Sequence, residues 1–148
     1  KGLLDGIICP EKFLKEEDEL FFGLPDTIWY PKNAFTQIDN KQGELVLGLF
    51  DTGTPERFDN VVIDVNNKIK SINVKVPNPK TKWTWAIGKM TVKVARLLKP
   101  NPLFGVSMNE YCQKHSGYAV ELSGSSCLDI GIPDDYDKAE TFVKAHEK

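Results

Sequence analysis

Two stretches of the chain are almost continuously apolar. LFFGL (20–24) and ELVLGLF (44–50) are each of strand length and bounded by turn-forming residues, the pattern of strands buried on both faces. Between them PKNAFTQI (31–38) has room for one or two helical turns. Ahead of the first, apolar side chains at 3, 4, 7, 8 and 14 fit a short helix that Pro10 disturbs or ends. The acidic KEEDE segment (15–19) reads as a solvated turn.

The texture changes after residue 60. NVVIDVNNKIKSINVKV (60–76) has two β-rich arms around Asn66 and Asn67, and asparagine tolerates the positive φ of a tight hairpin turn. In the second arm Ile72, Val74 and Val76 alternate with Ser71, Asn73 and Lys75, giving one apolar and one polar face. The expectation is an antiparallel hairpin arm on a mainly parallel sheet. WTWAIGKM (83–90) is a further strand. TVKVARLLK, apolar at 92, 94, 95, 97 and 98 and stopped by Pro100, suits a helix. Ser107 is placed to cap the next helix, SMNEYCQKH, with Glu110 completing a capping box and Gly117 closing it. YAVEL (118–122) returns as a strand, SGSSCLDIG as loop and short strand, and residues 133–148 as one final helix with Pro133 near its start.

Strands interleaved with helices predict a single layered α/β domain over residues 1–148, a mixed sheet with helices on both faces. Ligands of such domains bind at the carboxyl ends of strands. Composition narrows the partners. Lys+Arg at 19 against Asp+Glu at 21 leaves a net charge of -2, with no basic footprint for nucleic acid. Cys9, Cys112 and Cys127 are odd in number and far apart, which argues against a disulfide framework or zinc site and fits a reducing, cytoplasmic setting. No apolar run approaches the ~20 residues that span a bilayer. The missing initial Met points to a chain that begins partway through something larger.

Two loops at strand ends carry the candidate chemistry. Asp26 follows FFGLP, and Asp129 lies in CLDIGIP. Two carboxylates from distant parts of the chain can hold one hard divalent cation such as Mg²⁺, which commonly takes one or two carboxylates plus phosphate oxygens. The same residues also fit an Asx-turn after Pro25 and an N-cap-like acid at 129. DTGTP (51–55) repeats the form of DIGIP (129–133). The helix expected after Asp129 favours it over Asp51. Trp83 and Trp85 suit either packing or stacking on a sugar or base, Trp85 being the better candidate. His115 and His146 have no matched partners in the sequence, and Cys127 reads as a small buried apolar residue.

GLLDGI (2–7), FFGLPDTIW (21–29), the segment from GELVLGLFDTGTP through INVKVPNP (43–79), WTWAIG (83–88) and CLDIGIPDDYDKAETF (127–142) resemble the sugar nucleotidyltransferases, such as the glucose-1-phosphate thymidylyltransferase group, over nearly the whole chain. The resemblance implies a Rossmann-like domain. Its implied reaction joins a nucleoside triphosphate and a sugar 1-phosphate to give a nucleotide sugar and pyrophosphate. It implies Mg²⁺ on Asp26 and Asp129, Thr27 beside the first of them, Gly2 beside the nucleotide, and Lys75 at the sugar phosphate. No protein nucleophile is implied.

The departures shape the expectation too. The family's Gly-x-Gly-x-Arg loop and following Pro-Lys element are absent, so the resemblance implies that the N-terminal part of the fold is missing and that this portion alone is inactive. Pro25 replaces a glycine, Val74 stands where the family has a sugar-binding Glu, and Ile132 replaces a Thr. Two readings follow: part of an Mg²⁺-dependent nucleotidyltransferase, or a catalytically silent module that binds a sugar phosphate or a partner subunit. A sheet lacking its first strands would also expose an edge, favouring a homo-oligomer or association with the missing segment.

Overall fold

The computed structural model describes residues 3–147. The chain opens with α1 (Leu3–Ile8) and a 3₁₀ turn (Glu11–Phe13), then β1 (Glu19–Gly23), β2 (Thr27–Tyr30), α2 (Ala34–Asp39) and β3 (Leu45–Asp51). A second 3₁₀ turn (Pro55–Arg57) leads into the hairpin of β4 (Asp59–Ile63) and β5 (Ile69–Val74). β6 (Trp83–Thr91), α3 (Val92–Leu97), α4 (Phe104–Lys114), β7 (Tyr118–Glu121), β8 (Ser126–Asp129), α5 (Pro133–Tyr136) and α6 (Ala139–His146) complete it.

Leu45 through Phe50 are all buried, and their alternation feeds two cores. Leu45, Leu47 and Leu49 pack with Trp85, Met90, Val94, Phe104 and Met108 on one face. Val46 and Phe50 pack with Ala34, Ile38, Ile87 and Leu122 on the other. Helices therefore cover both faces, as the sequence pattern implies. Asn67 adopts φ 63 in the β4–β5 turn, the left-handed conformation expected of it.

The sheet is not mainly parallel. Its order is β5-β4-β6-β3-β7 with β1 also on β6, and among the described residues β3–β7 is its one parallel pairing. Unbroken apolar runs report burial on both faces rather than strand direction, and β3 is fully covered although it runs antiparallel to β6. β1 departs further, with only Phe22 buried and Phe21 45% exposed. Among the described residues β1 pairs with β6 alone, which makes it an edge.

Other expectations change at the ends of elements. Ser107 lies inside α4, where its hydroxyl donates to the Lys99 carbonyl at 2.6 Å. α4 ends at Lys114, and Gly117 instead lets the chain pass against Cys112, whose Sγ would lie 2.5 Å from an added Cβ. The last helix is two, α5 and α6. The acidic run is solvated as expected, with Lys15, Glu16, Glu17 and Glu19 exposed, but Glu19 already belongs to β1 and pairs at 2.9 Å with Lys89, a lysine whose side chain is 5% exposed.

Candidate active site

A β-bulge begins the construction of the site. The β3–β6 register shifts between Gly48 and Leu49, leaving Ala86 unpaired in β6, and such a bulge redirects the side chains beyond it. Trp85 thereby faces the α3–α4 core while Ile87 faces the other. The Ala86 carbonyl accepts the Leu24 N–H at 3.1 Å, which fixes the chain as it leaves β1.

The next turn carries Asp26. Thr27 N–H returns to the Leu24 carbonyl at 3.4 Å, and the Asp26 carbonyl accepts Ile130 N–H at 2.7 Å. β2 then pairs with β8 as a separate antiparallel ribbon in which Thr27 lies opposite Asp129. The sequence pattern anticipates a short strand within SGSSCLDIG, which is β8, but not its partner β2, since four-residue strands show little alternation.

Asp26 and Asp129 consequently converge. A Cβ placed on Gly131 would lie 3.0 Å from Asp129 Oδ1 and 3.2 Å from Asp26 Oδ2. Glycine keeps the space between the carboxylates open. Asp129 Oδ1 also accepts Gly131 N–H at 2.8 Å, so the Asx-type turn is at 129 rather than at 26. Asp129 does not cap α5, whose N-cap is Ile132.

The two acids line a cleft of about 250 Å³ together with Thr27, Lys75, Val74 and Trp85. Gly2 lies outside the described residues. Thr27 is 8% exposed. Lys75 sits just past β5 in a left-handed conformation, φ 45, and among the described residues no hydrogen bond or ion pair engages its ammonium. Non-glycine residues rarely hold such a φ, which costs of order 1–3 kcal/mol and tends to occur at functional sites. Trp85 is 4% exposed and packs edge-on against Phe22 and Phe104, so most of its indole belongs to the core. The alternative aspartate, Asp51, is engaged by Lys82 at 3.0 Å and does not line the cleft.

Two further residues of the cleft escaped the sequence reading. Arg57 donates to Asp135 of α5 from Nη2 at 2.5 Å and Nη1 at 3.5 Å, and Lys138 joins the same carboxylate at 2.8 Å. These partners, Arg57 first, hold Asp135 well below the usual carboxylate range, at about 2. Asp59 receives the Trp85 indole N–H at 3.3 Å. Burial pushes its carboxyl above the ordinary value, against the opposing pull of Trp85 and Lys75. ERFDN (56–60) reads as a loop entering a strand, and the alternation of Arg57 and Asp59 about Phe58 was its one local signal.

His146 lies outside the cleft but is not unmatched. Its Nε2 lies 2.7 Å from Ser126 Oγ, its Nδ1 lies 2.8 Å from the Phe142 carbonyl, and its ring stacks on Tyr30. The Ser126 and Tyr30 contacts dock α6 onto the β2–β8 ribbon. Cys127 is buried, as expected.

No family model matches the chain. Solved structures do resemble it. A protein described as a glucose-1-phosphate thymidylyltransferase from Bacillus anthracis, crystallised with sucrose, superposes with a TM-score of 0.79 at 22% identity over 99% of this chain and 63% of its own. The inositol-1-phosphate CTP transferase from T. maritima gives 0.76 at 16% identity, over 99% and 63%. The UDP-glucose pyrophosphorylase from Acinetobacter baumanii gives 0.75 at 16%, over 99% and 58%. The likeness establishes the fold, which is that of the C-terminal portion of these nucleotidyltransferases. The chain spans about three fifths of the length of the structures it matches. Among the described residues, no helix is long and apolar enough to cross a membrane.

Proposed function

We propose that the chain is part of an enzyme that joins a nucleoside triphosphate and a sugar 1-phosphate, releasing pyrophosphate. The observation that carries this reading is the convergence of Asp26 and Asp129 over Gly131, in one cleft with Lys75. The likeness of the fold to nucleotidyltransferases agrees with it.

The donor set fits Mg²⁺. Both side chains offer hard oxygens, among the described residues no group of three or more His, Cys, Asp or Glu could hold a metal, and Mg²⁺ characteristically fills its remaining positions with water and substrate phosphate oxygens. When bound, such an ion would neutralise charge on the reacting phosphates. Asp26, in the turn entering β2, and Asp129, the last residue of β8, would hold the ion at one end of the two-strand ribbon. Lys75 supplies a cation for the attacking phosphate, and Arg57 adds a second positive group to the wall. Thr27 and the exposed edge of Trp85 shape the floor. The work left to the chain is positioning and electrostatic stabilisation, which suffices for phosphoryl chemistry.

Self-association through the free edge of β1 is part of the same proposal, with Phe21 exposed on that strand. A stable monomer in sedimentation at high concentration would remove it.

The test is pyrophosphate release by the longest native form of the protein with Mg²⁺, the common nucleoside triphosphates and a panel of sugar 1-phosphates. Turnover lost in Asp26→Ala and in Asp129→Ala is the expected result. Val74, an apolar side chain on the cleft wall, favours a second reading in which the domain binds sugar phosphate without turnover. Binding of the sugar phosphate with no pyrophosphate released would establish that reading instead.

A further inference from the structure

The cleft holds a third carboxylate that the proposed metal and phosphate chemistry leaves unused. Asp59 begins β4, lines the cleft and is largely withdrawn from solvent. A carboxylate has about four lone-pair directions. Among the described residues it receives one hydrogen bond, from Trp85 Nε1 to Oδ2. Its other acceptor positions take no donor from the described residues, and because Asp59 lines the cleft a ligand donor can replace solvent there.

The surroundings define that donor. Oδ2 is pressed by the first turn of α4: a Cβ on Gly105 would lie 2.2 Å from it and 3.0 Å from Val74 Cγ2. Glycine at 105 is what allows helix and carboxylate to occupy this corner together. With one oxygen held by the indole and the helix behind it, the carboxylate has a fixed direction. Lys75 offsets its charge from nearby, so a cationic ligand is not required, while a phosphate is repelled from this wall toward Lys75 and Arg57. Neutral hydroxyl donors satisfy every condition.

Building on the sugar 1-phosphate reading, we propose that Asp59 is the specificity-determining residue of the cleft: it accepts a hydrogen bond from a hydroxyl of the sugar ring and so selects among sugar phosphates by hydroxyl pattern. Trp85 and Gly105 act as positioning residues for it.

The experiment measures binding of glucose 1-phosphate, its 2-, 3-, 4- and 6-deoxy analogues and inorganic phosphate by calorimetry with Mg²⁺, for the native chain and for Asp59→Asn. Because burial disfavours the ionised form, the amide relieves a cost at neutral pH and should fold at least as stably, which a thermal melt verifies. The native chain should lose about 10- to 100-fold in affinity for one deoxy analogue, the scale of a hydrogen bond to a charged group. Asp59→Asn should bind glucose 1-phosphate correspondingly weakly, no longer discriminate against that analogue, and bind inorganic phosphate as before. A variant that discriminates as the native chain does, or that loses inorganic phosphate in proportion, overturns the role of Asp59 while leaving the sugar phosphate reading intact. A native chain that binds phosphate but no sugar phosphate overturns that reading and this inference with it.

Discussion

Asp59 stands directly opposite Val74 in the antiparallel register of β4 and β5, and both line the cleft. Opposed side chains share one face of a sheet, with Cβ atoms about 4.5–5.5 Å apart. The carboxylate and the isopropyl group therefore form one wall, closed from behind by Gly105. Gly105→Ala should displace both, since its methyl would overlap Asp59 Oδ2 and crowd Val74. Overpacking of this kind costs about 1–3 kcal/mol. The expected result is a lower urea midpoint, together with the loss of sugar discrimination expected for Asp59→Asn.

Asp26 and Asp129 invite a cleaner substitution than alanine. The Asp26 carboxylate is exposed and, among the described residues, takes no hydrogen bond, while an asparagine at 129 still accepts the Gly131 N–H. Asp26→Asn and Asp129→Asn should melt close to the native chain. Each should raise the Mg²⁺ concentration needed for activity and lower turnover by about 10²-fold or more, the scale of removing one group that stabilises transition-state charge. Unchanged Mg²⁺ dependence in both variants would remove the metal assignment.

The Arg57–Asp135–Lys138 cluster gives acid stability a direction. Arg57 and Lys138 hold the Asp135 carboxyl down at about 2 in the folded chain, below the ordinary carboxylate value of 3.8, so as pH falls the unfolded state binds its proton first. The cluster's contribution is present above the ordinary carboxylate range and is lost as pH falls through the folded value. Urea midpoints measured from pH 6 to pH 2 should fall along this limb, and Asp135→Asn should flatten it while lowering the midpoint at neutral pH.

The three cysteines should separate kinetically. Burial pushes the thiols of Cys112 and Cys127 up to about 12, so at pH 8 neither presents appreciable thiolate, the reactive form. Cys9 is exposed. A disulfide reagent should label one thiol rapidly in the native protein and the other two only on unfolding.

The meeting of two distant acids was more legible in the sequence than the direction of the strands was. Asp26 and Asp129 stand out because lone acids follow apolar runs at turns, and the cleft does bring them together. Strand direction was not legible, because the β3 run records cover on two faces whatever its neighbours do. Nor was β2, and with it the β2–β8 ribbon, since a four-residue strand is too short to establish a period. The absence of a carboxylate at Val74 could be read directly, whereas Asp59 one strand away could not. Its place in the cleft depends on the β4–β5 register and on the close approach of α4, both long-range. Ser126 and Tyr30, two of the partners of His146, are likewise supplied by chain far from α6.

The cleft draws its walls from the β1–β2 turn, the 3₁₀ turn after β3, the end of β5, the bulge in β6 and the end of β8. No contiguous segment contains it, so it exists only when the whole fold does. Occupancy is then linked to global folding. A ligand at a hundred times its Kd should stabilise the native state by about 2.7 kcal/mol, and the gain should slow hydrogen exchange in β3 and β6 as well as at the loops that touch the ligand. A ligand screen can therefore read melting temperature alone, without an assay for turnover.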